Sequence, residues 1–226
     1  MATITTVDRL EGLPEDVPDV DIVVVDVLLA STAIVRLLDA GVEYVKPFAD
    51  INEARAFGAT VEDAVLVGED GGAPIDGFDF VPLPETFRTD ELAGRPVAMR
   101  SSNGTRAIES LDRDEEVFVG TTTNAAAVAN VLCGRGRDVW LVAAGRHGEV
   151  APEDSAGVEL IEKQYHGTLT KADTERFSAN IRTAGTADWL RSIGMEDELE
   201  SVLSFNSTDT VPVLRDGVFV DAVETP

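Results

Sequence analysis

The sequence contains a single cysteine, Cys133, and only three lysines and two histidines among its 226 residues. One cysteine excludes an intramolecular disulfide and a cysteine-based zinc site. The scarcity of basic residues leaves 18 Lys and Arg against 42 Asp and Glu, so the formal net charge is −24 at pH 7. Such a charge disfavours duplex nucleic acid as a partner, because binding needs Lys and Arg to displace counterions. It disfavours an anionic membrane surface in the same way.

We also predict that the protein carries no N-terminal targeting segment. Its first residues, MATITTVDRLEG, contain neither a charged n-region nor an apolar h-region, so we predict a cytoplasmic protein. Acidity combined with scarce lysine indicates the salt-rich cytoplasm of an extreme halophile, where 1 M salt screens charges within about 3 Å. Hydrophobic residues make up 44% of the chain, as in ordinary globular proteins, so we expect one folded domain over residues 1–226.

Short apolar runs alternate with loops of small polar residues and with helical patterns. The run Ile22–Val25 suits a strand covered on both faces, and a helical pattern follows with Ser31 and Thr32 as N-cap candidates. Further strands are predicted at 65–67, 96–99, 117–119 and 139–143, and helices at 125–132, 153–165, 174–184 and 186–200. The alternation predicts an α/β fold, a three-layer α/β/α arrangement with a largely parallel or mixed sheet, ending in a hairpin around Asp216-Gly217. Similar sequences after three strands leave an internal duplication open.

Polar residues and glycines follow the predicted strands, and ligands bind beyond the carboxyl ends of parallel strands. Ser, Thr, Asn and Gly at helix N-termini offer hydroxyls and backbone N–H groups to a phosphate, sulfonate or carboxylate. Arginines beside these loops favour an anion site in so acidic a protein, and they are Arg100, Arg106 and Arg146. Carboxylates at strand ends suit Mg²⁺, a hard cation, and they are Asp26, Glu69, Asp70, Glu153 and Asp154. An anion site beside Mg²⁺ is typical of phosphoryl chemistry.

Each of these sets of candidate site residues can also be explained by local structure alone. Asp26 suits a turn that ends a strand, and residues 101–105 and 121–124 suit ordinary helix caps. Glu153 and Asp154 lie in a predicted first helical turn, where the helix dipole favours acids. The sequence has no GxGxxG after a strand, no GxxxxGK[ST] and no GxSxG, so dinucleotide-binding, P-loop and α/β-hydrolase classes lack their fingerprints.

Six segments carry recognisable motifs. They are DVLLASTAIVRLLDAG (26–41), VGEDGGAPIDGFD (67–79), NGTRAI (103–108), GTTTNAAAVA (120–129), AAGRHGEVAPEDSAG (143–157) and DTVPVLRDG (209–217). In this order they resemble the 2-phosphosulfolactate phosphatase family. The resemblance implies a three-layer α/β/α enzyme that uses Mg²⁺ to convert 2-phosphosulfolactate into 3-sulfolactate and phosphate, a step towards coenzyme M. The residues that match motif positions are Asp26, Ser31, Thr32, Glu69, Asn103, Gly104, Thr105, Asn124, Gly145, Gly148, Glu153 and Asp154.

Three sites depart from the family's pattern. Leu29 stands where the family usually has arginine, residues 81–83 read Val-Pro-Leu in place of Gly-Asn-Ser, and Ser102 replaces a threonine. The missing arginine removes a bidentate anion donor, and the Val-Pro-Leu segment removes polar groups. Three explanations stay open: a less highly charged substrate, replacement of the missing arginine by another such as Arg100, or loss of activity.

We therefore predict a Mg²⁺-dependent phosphatase of a small anionic phosphomonoester. The predicted metal ligands are Asp26, Glu69, Glu153 and Asp154, and the predicted catalytic residues are Asp26, Glu69, Asn103 and Asp154. The predicted substrate-binding residues are Ser31, Thr32, Arg100, Ser102, Gly104, Thr105, Asn124, Gly145, Arg146 and Gly148. The alternative is a non-catalytic relative that binds a small phosphorylated or sulfonated metabolite. Docking of a protein partner on the acidic face and a homo-oligomer also stay open.

Overall fold

A computed structural model describes residues 2–14, 18–102, 117–146 and 148–222. The strands within these residues are β1 (Ile4–Val7), β2 (Asp21–Val25), β3 (Tyr44–Phe48), β4 (Val65–Asp70), β5 (Ala73–Pro74), β6 (Pro96–Arg100), β7 (Val117–Gly120), β8 (Val139–Ala143), β9 (Pro212–Arg215) and β10 (Val218–Asp221). The α-helices within them are α1 (Ala30–Asp39), α2 (Ile51–Thr60), α3 (Ala125–Arg135), α4 (Pro152–Tyr165), α5 (Lys171–Arg182), α6 (Gly185–Ser192) and α7 (Asp197–Leu203).

All ten strands belong to one sheet, in the order β1-β8-β2-β7-β9-β10-β3-β6-β4-β5. Strands β1, β8, β2 and β7 run parallel and form the first block. Strands β3, β6 and β4 also run parallel and form the second block. The antiparallel hairpin β9–β10 joins the two blocks, pairing with β7 on one side and with β3 on the other. The predicted α/β fold with a mixed, largely parallel sheet is confirmed.

Strand β2 shows why its sequence is an uninterrupted apolar run. Ile22 and Val24 pack into one core cluster, whereas Val23 and Val25 pack into the other. Successive side chains of a strand point to opposite faces, so a strand between two helical layers needs apolar residues at every position.

Helices cover both faces of the sheet, as predicted. On one face, α3 to α7 pack against the first block through fully buried side chains such as Leu132, Leu160 and Phe177. The other face is covered by α1, whose Ile34 lies in the second cluster. Helix α2 packs through Ala54 against Ala98 of the second block.

Helix α4 lies unusually close to the carboxyl end of β2. A Cβ atom added at Gly157 would lie 2.7 Å from Cγ2 of Val27 and 2.8 Å from Cγ1 of Val25, so only glycine fits there without a shift. This close approach places the first turn of α4, with its two acidic residues, beside the residue that follows β2.

The structure corrects several sequence-based expectations about local structure. Helix α1 has Leu29 as its N-cap residue, whereas Ser31 and Thr32 lie in its first turn. The predicted helix over 186–200 is two helices, because the chain between them turns through Gly194 at φ +75°. The hairpin turn is confirmed, with Asp216 at φ 50° and Gly217 at φ 75°. Strands β1 and β3 and helix α2 were not predicted.

Within the described ranges, no helix combines the length and the apolar character that crossing a bilayer would require.

Glu198 is a buried acid on α7. It has 1% of its surface exposed, and its Oε1 accepts a hydrogen bond from the Glu85 backbone N–H at 2.9 Å. Burial raises the pKa of Glu198 to about 7, with the charges of Glu85 and Asp197 adding to the rise and Arg36 opposing it.

This raised pKa predicts a dependence of stability on pH. Between about pH 4.5 and 7 the folded protein keeps a proton on Glu198 that the unfolded chain has lost, so the free energy of unfolding falls as the pH rises through this window. Glu198→Gln keeps the acceptor oxygen and removes the charge. We expect it to stabilise the protein by about 1–3 kcal/mol at pH 8 and to change stability little at pH 4.5.

Denaturant unfolding in high salt at both pH values measures this effect. The control is Glu196→Gln, since the Glu196 side chain is 66% exposed and its contact with Arg191 is long, at 3.8 Å. Equal pH dependence in wild type and Glu198→Gln would show that ionisation of Glu198 is not penalised in the fold.

Candidate active site

A cavity of about 130 Å³ opens where four strands end. Its acidic side is formed by Asp26, which follows β2, by Glu69 near the end of β4, and by Glu153 and Asp154 in the first turn of α4. The remaining lining residues are Leu28, Leu29, Gly71, Gly72, Pro82, Ser101, Ser102, Gly145, Arg146, Ala151, Thr186 and Trp189. The cavity therefore combines residues from both parallel blocks.

The directions of the strands do not by themselves explain how residues of both blocks come to line one cavity. Three antiparallel pairings between them make the blocks run in opposite formal directions, so a flat sheet would keep their carboxyl ends apart. Six strand-to-strand steps separate β2 from β4. A twist of about 20–25° per step amounts to about 120–150° over that distance and brings the strand directions back into rough agreement. Sheet twist thus offers a physical reason why residues that follow strands of both blocks line one cavity.

Asp26 lies at the base of the cavity with 5% of its surface exposed. Burial raises its pKa to about 7, the charges of Glu153 and Glu69 add to the rise, and hydrogen bonds from the backbone N–H groups of Ala30 and Leu29 oppose it. The carboxylate thus lies at the N-terminus of α1, where the helix dipole favours negative charge.

Asp154 is held on both of its carboxylate oxygens. Oδ1 accepts a hydrogen bond from the Val27 N–H at 2.8 Å, and Oδ2 accepts one from the Gly145 N–H at 3.0 Å. Burial raises the pKa of Asp154 well above its usual range, and the charges of Asp26 and Glu153 add to the rise. Asp154 therefore ties together the residues that follow β2 and β8.

Glu153 differs from its neighbour, because no described residue donates a hydrogen bond to its carboxylate although only 3% of its surface is exposed. It lies in the first turn of α4, a helix with no side-chain cap. The backbone N–H groups of that turn have no helical acceptors. Glu153 thus offers a desolvated carboxylate to the cavity beside donors suited to an anion.

Glu69 is engaged by the loop that follows β6. Its Oε1 accepts from the Ser102 N–H at 2.5 Å, and its Oε2 accepts from the Gly72 N–H at 2.6 Å and from the Ser102 hydroxyl at 3.1 Å. These bonds leave few lone pairs for a ligand. The geometry therefore favours a positioning role for Glu69, which fixes Ser102 and the turn after β4.

The two described arginines that were predicted to bind substrate lie in different places. Arg100 does not line the cavity, and its guanidinium bonds the Glu69 carbonyl, the Ser102 hydroxyl at 3.1 Å and the Asp70 carboxylate at 3.0 Å. Arg146 does line the cavity, and it donates to the Thr186 hydroxyl at 3.4 Å. Arg146 is the one cationic side chain among the described residues that line the cavity.

Three other predicted binding residues lie beneath the cavity surface. The Ser31 hydroxyl accepts from the Asp26 N–H at 2.8 Å, and the Thr32 hydroxyl bonds the Val27 carbonyl and the Thr121 hydroxyl. Asn124 caps the Thr121 N–H at 2.9 Å. All three are buried. Ser31 and Thr32 hold the residues that follow β2, whereas Asn124 holds the residues that follow β7.

The loop after β8 depends on glycine. Gly145 has φ +70°, and a Cβ atom there would lie 2.7 Å from the Glu149 carbonyl oxygen. Gly148, at φ +79°, lies in the same turn but does not line the cavity. The predicted residues Asn103, Gly104, Thr105 and Arg106 lie outside the described residues.

Thr186 and Trp189 of α6 were missed by the sequence analysis. Their spacing is that of an ordinary amphipathic helix, and Trp189 also packs against the core. No signal in the sequence distinguishes them from core residues.

The donors of this cavity suit Mg²⁺, which in proteins is commonly bound by one or two carboxylates with waters and substrate oxygens. Asp26 and Glu153 offer oxygens in a desolvated site, and the mutual repulsion of its carboxylates would be relieved by a divalent cation. Among the described residues no group of three or more His, Cys, Asp or Glu side chains is arranged to hold a metal. The donor set therefore fits a site of few protein ligands, and the four-carboxylate site stays a prediction.

A family model described as 2-phosphosulpholactate phosphatase matches residues 7–217. The chain belongs to the 2-phosphosulfolactate phosphatase family. Its relatives include a probable 2-phosphosulfolactate phosphatase of Thermotoga petrophila, 30% identical over 88% of this chain and 90% of that protein. Probable 2-phosphosulfolactate phosphatases of Clostridium acetobutylicum and a Synechococcus species are 34% and 35% identical over 62% and 63% of this chain. Those two matches span 60% and 62% of the relatives' lengths.

The cavity is lined by several of the motif residues named in the sequence analysis, together with one residue from each of the three departures from the family's pattern. Leu29 and Pro82, which stand where the family usually has arginine and asparagine, both line the cavity. The third departure, Ser102, lines it as well and bonds Glu69. The departures therefore lie where a ligand would be selected.

Proposed function

We propose that this protein is a Mg²⁺-dependent phosphatase of a small anionic phosphomonoester, with 2-phosphosulfolactate, which would yield 3-sulfolactate and phosphate, as the first candidate. The observation that carries the proposal is the cavity itself, where desolvated carboxylates lie beside one guanidinium and an uncapped helix N-terminus. In hydrolysis the ester bond between phosphorus and the alcohol oxygen breaks. Water gives its hydroxyl to phosphorus and its proton to the alcohol oxygen.

Asp26 and Glu153 would hold the metal, because both carboxylates are desolvated in the cavity and Glu153 has no hydrogen-bond partner among the described residues. When bound, Mg²⁺ would neutralise phosphate charge and lower the pKa of a water molecule that it binds. Asp154 and Glu69 act as positioning residues through their backbone hydrogen bonds. Arg146 binds an anionic group of the substrate at the cavity edge, assisted by Thr186.

Phosphate release in high KCl tests the proposal. We expect turnover of a phosphomonoester that falls at least about 100-fold when EDTA removes the metal and returns when Mg²⁺ is restored. Glu153→Gln should show a loss of similar size, because the desolvated ligand is gone. Glu149→Gln is the matched control, since Glu149 is exposed and does not line the cavity.

A folded wild-type protein that hydrolyses no phosphomonoester would contradict the proposal. If phosphorylated ligands then raised its melting temperature without turnover, the protein would be a binding protein for such metabolites.

A further inference from the structure

Five of the side chains that line the cavity are apolar. We call Leu28, Leu29, Pro82, Ala151 and Trp189 the apolar wall. Leu28 belongs to the main core cluster, and Leu29 and Trp189 pack against it, so the wall is supported from behind. Trp189 also lies close to Gly72, where an added Cβ atom would be 3.6 Å from the indole ring.

The charged side chains that line the cavity are unevenly divided between acidic and basic residues. The four lining carboxylates face a single lining guanidinium within the described residues, that of Arg146. Arg100 does not add to this count, because it does not line the cavity and the carboxylate of Asp70 and the Ser102 hydroxyl hold its Nη1. A substrate with a phosphate and two further anionic groups would therefore have one anion without a guanidinium partner among the described lining residues.

We propose that the substrate is a phosphomonoester with one carboxylate and an uncharged apolar group. This inference rests on the proposed phosphatase function and specifies its substrate class. The phosphate lies at the acidic side with the metal, the carboxylate pairs with Arg146, and the apolar group packs on the wall. The small volume, about 130 Å³ among the described residues, restricts the apolar group to a few carbon atoms.

The selectivity has a direct physical origin. A sulfonate pressed against Leu29 and Pro82 loses its hydration and gains no donor, whereas a methyl group in that place loses nothing. Sites that leave a charged or polar group unpaired discriminate more strongly than sites that differ by one methylene. We expect a preference of at least about 10-fold in kcat/KM for the uncharged substrate.

The test compares two substrates that differ only in the group facing the wall: 2-phospholactate, with a methyl group, and 2-phosphosulfolactate, with a sulfonate on that carbon. Wild type should prefer 2-phospholactate. Leu29→Arg adds a cation to the wall and should shift the kcat/KM ratio towards 2-phosphosulfolactate by at least about 10-fold. Ile193→Arg is the matched control, because it makes the same charge change at a side chain that is 47% exposed and outside the cavity.

Each outcome decides between the hypotheses. A wild-type preference for 2-phosphosulfolactate, or a ratio that Leu29→Arg does not move, overturns the substrate class and leaves the phosphatase function standing. Hydrolysis of neither compound nor of any other phosphomonoester defeats the phosphatase function itself. If Leu29→Arg does not fold, Pro82→Ser places a hydroxyl on the same wall and should narrow the wild-type preference.

Discussion

Asp26→Asn is expected to lower kcat by about 10³-fold or more while the melting temperature in high salt stays equal or rises. The loss follows because the cavity would lose a buried carboxylate suited to a metal or to proton transfer, each worth orders of magnitude in rate. Asparagine keeps one acceptor oxygen for the backbone N–H groups at the start of α1, which limits the loss of hydrogen bonding. It also removes a charge that burial and two neighbouring acids disfavour.

Steady-state phosphate release and thermal melts of the same preparations measure the two effects. Asp76→Asn is the matched control, since Asp76 is exposed and does not line the cavity. Full activity in Asp26→Asn would remove this residue from the proposed site.

Unlike Asp26→Asn, which should keep its stability, Asp154→Asn is expected to destabilise the fold by about 1–3 kcal/mol. Each oxygen of Asp154 accepts one backbone N–H, from Val27 and from Gly145. Asparagine keeps one acceptor and turns an NH₂ group towards the other N–H, which is then buried without a partner. Relief of repulsion from Asp26 and Glu153 offsets part of this cost.

Urea unfolding in high salt measures the change, and the neighbouring Glu153→Gln is its control. Glu153 accepts no hydrogen bond from the described residues, so its substitution should leave the free energy of unfolding unchanged or slightly higher. If both variants lost stability equally, the carboxylate charge and not the pair of backbone bonds would be the stabilising feature.

The contrast between these two acids shows what sequence could predict. Both acids were predicted to lie near strand ends, Asp26 because it directly follows an apolar run and Asp154 because it begins the helix after a later strand, and the structure brings them together. Their different hydrogen-bond partners could not be predicted, since these depend on how closely α4 approaches β2 at Gly157. Local pattern predicts which residues come near an edge, and packing decides which oxygens stay available.

Arg100, Arg146 and helix α6 show that packing between distant parts of the chain also could not be predicted from local sequence. Arg100 and Arg146 both follow strands, so their sequence context is alike, yet Arg100 pairs with Asp70 behind the cavity and Arg146 lines it. Trp189 reaches the cavity only because α6 packs beside the loop after β8. The alternation of strands and helices predicted a mixed, largely parallel sheet. The strand order could not be predicted in this way, because it depends on a hairpin more than 90 residues beyond β7 in the chain.

That hairpin also sets the order in which the molecule can be completed during synthesis. Residues 212–221 leave the ribosome after every other strand of the sheet, yet they occupy its middle and provide the link between the two blocks. Asp26 and Arg146 belong to one block, and Glu69 and Ser102 to the other. A nascent chain can therefore form each block early, whereas the sheet that joins the two blocks is completed only after the hairpin emerges.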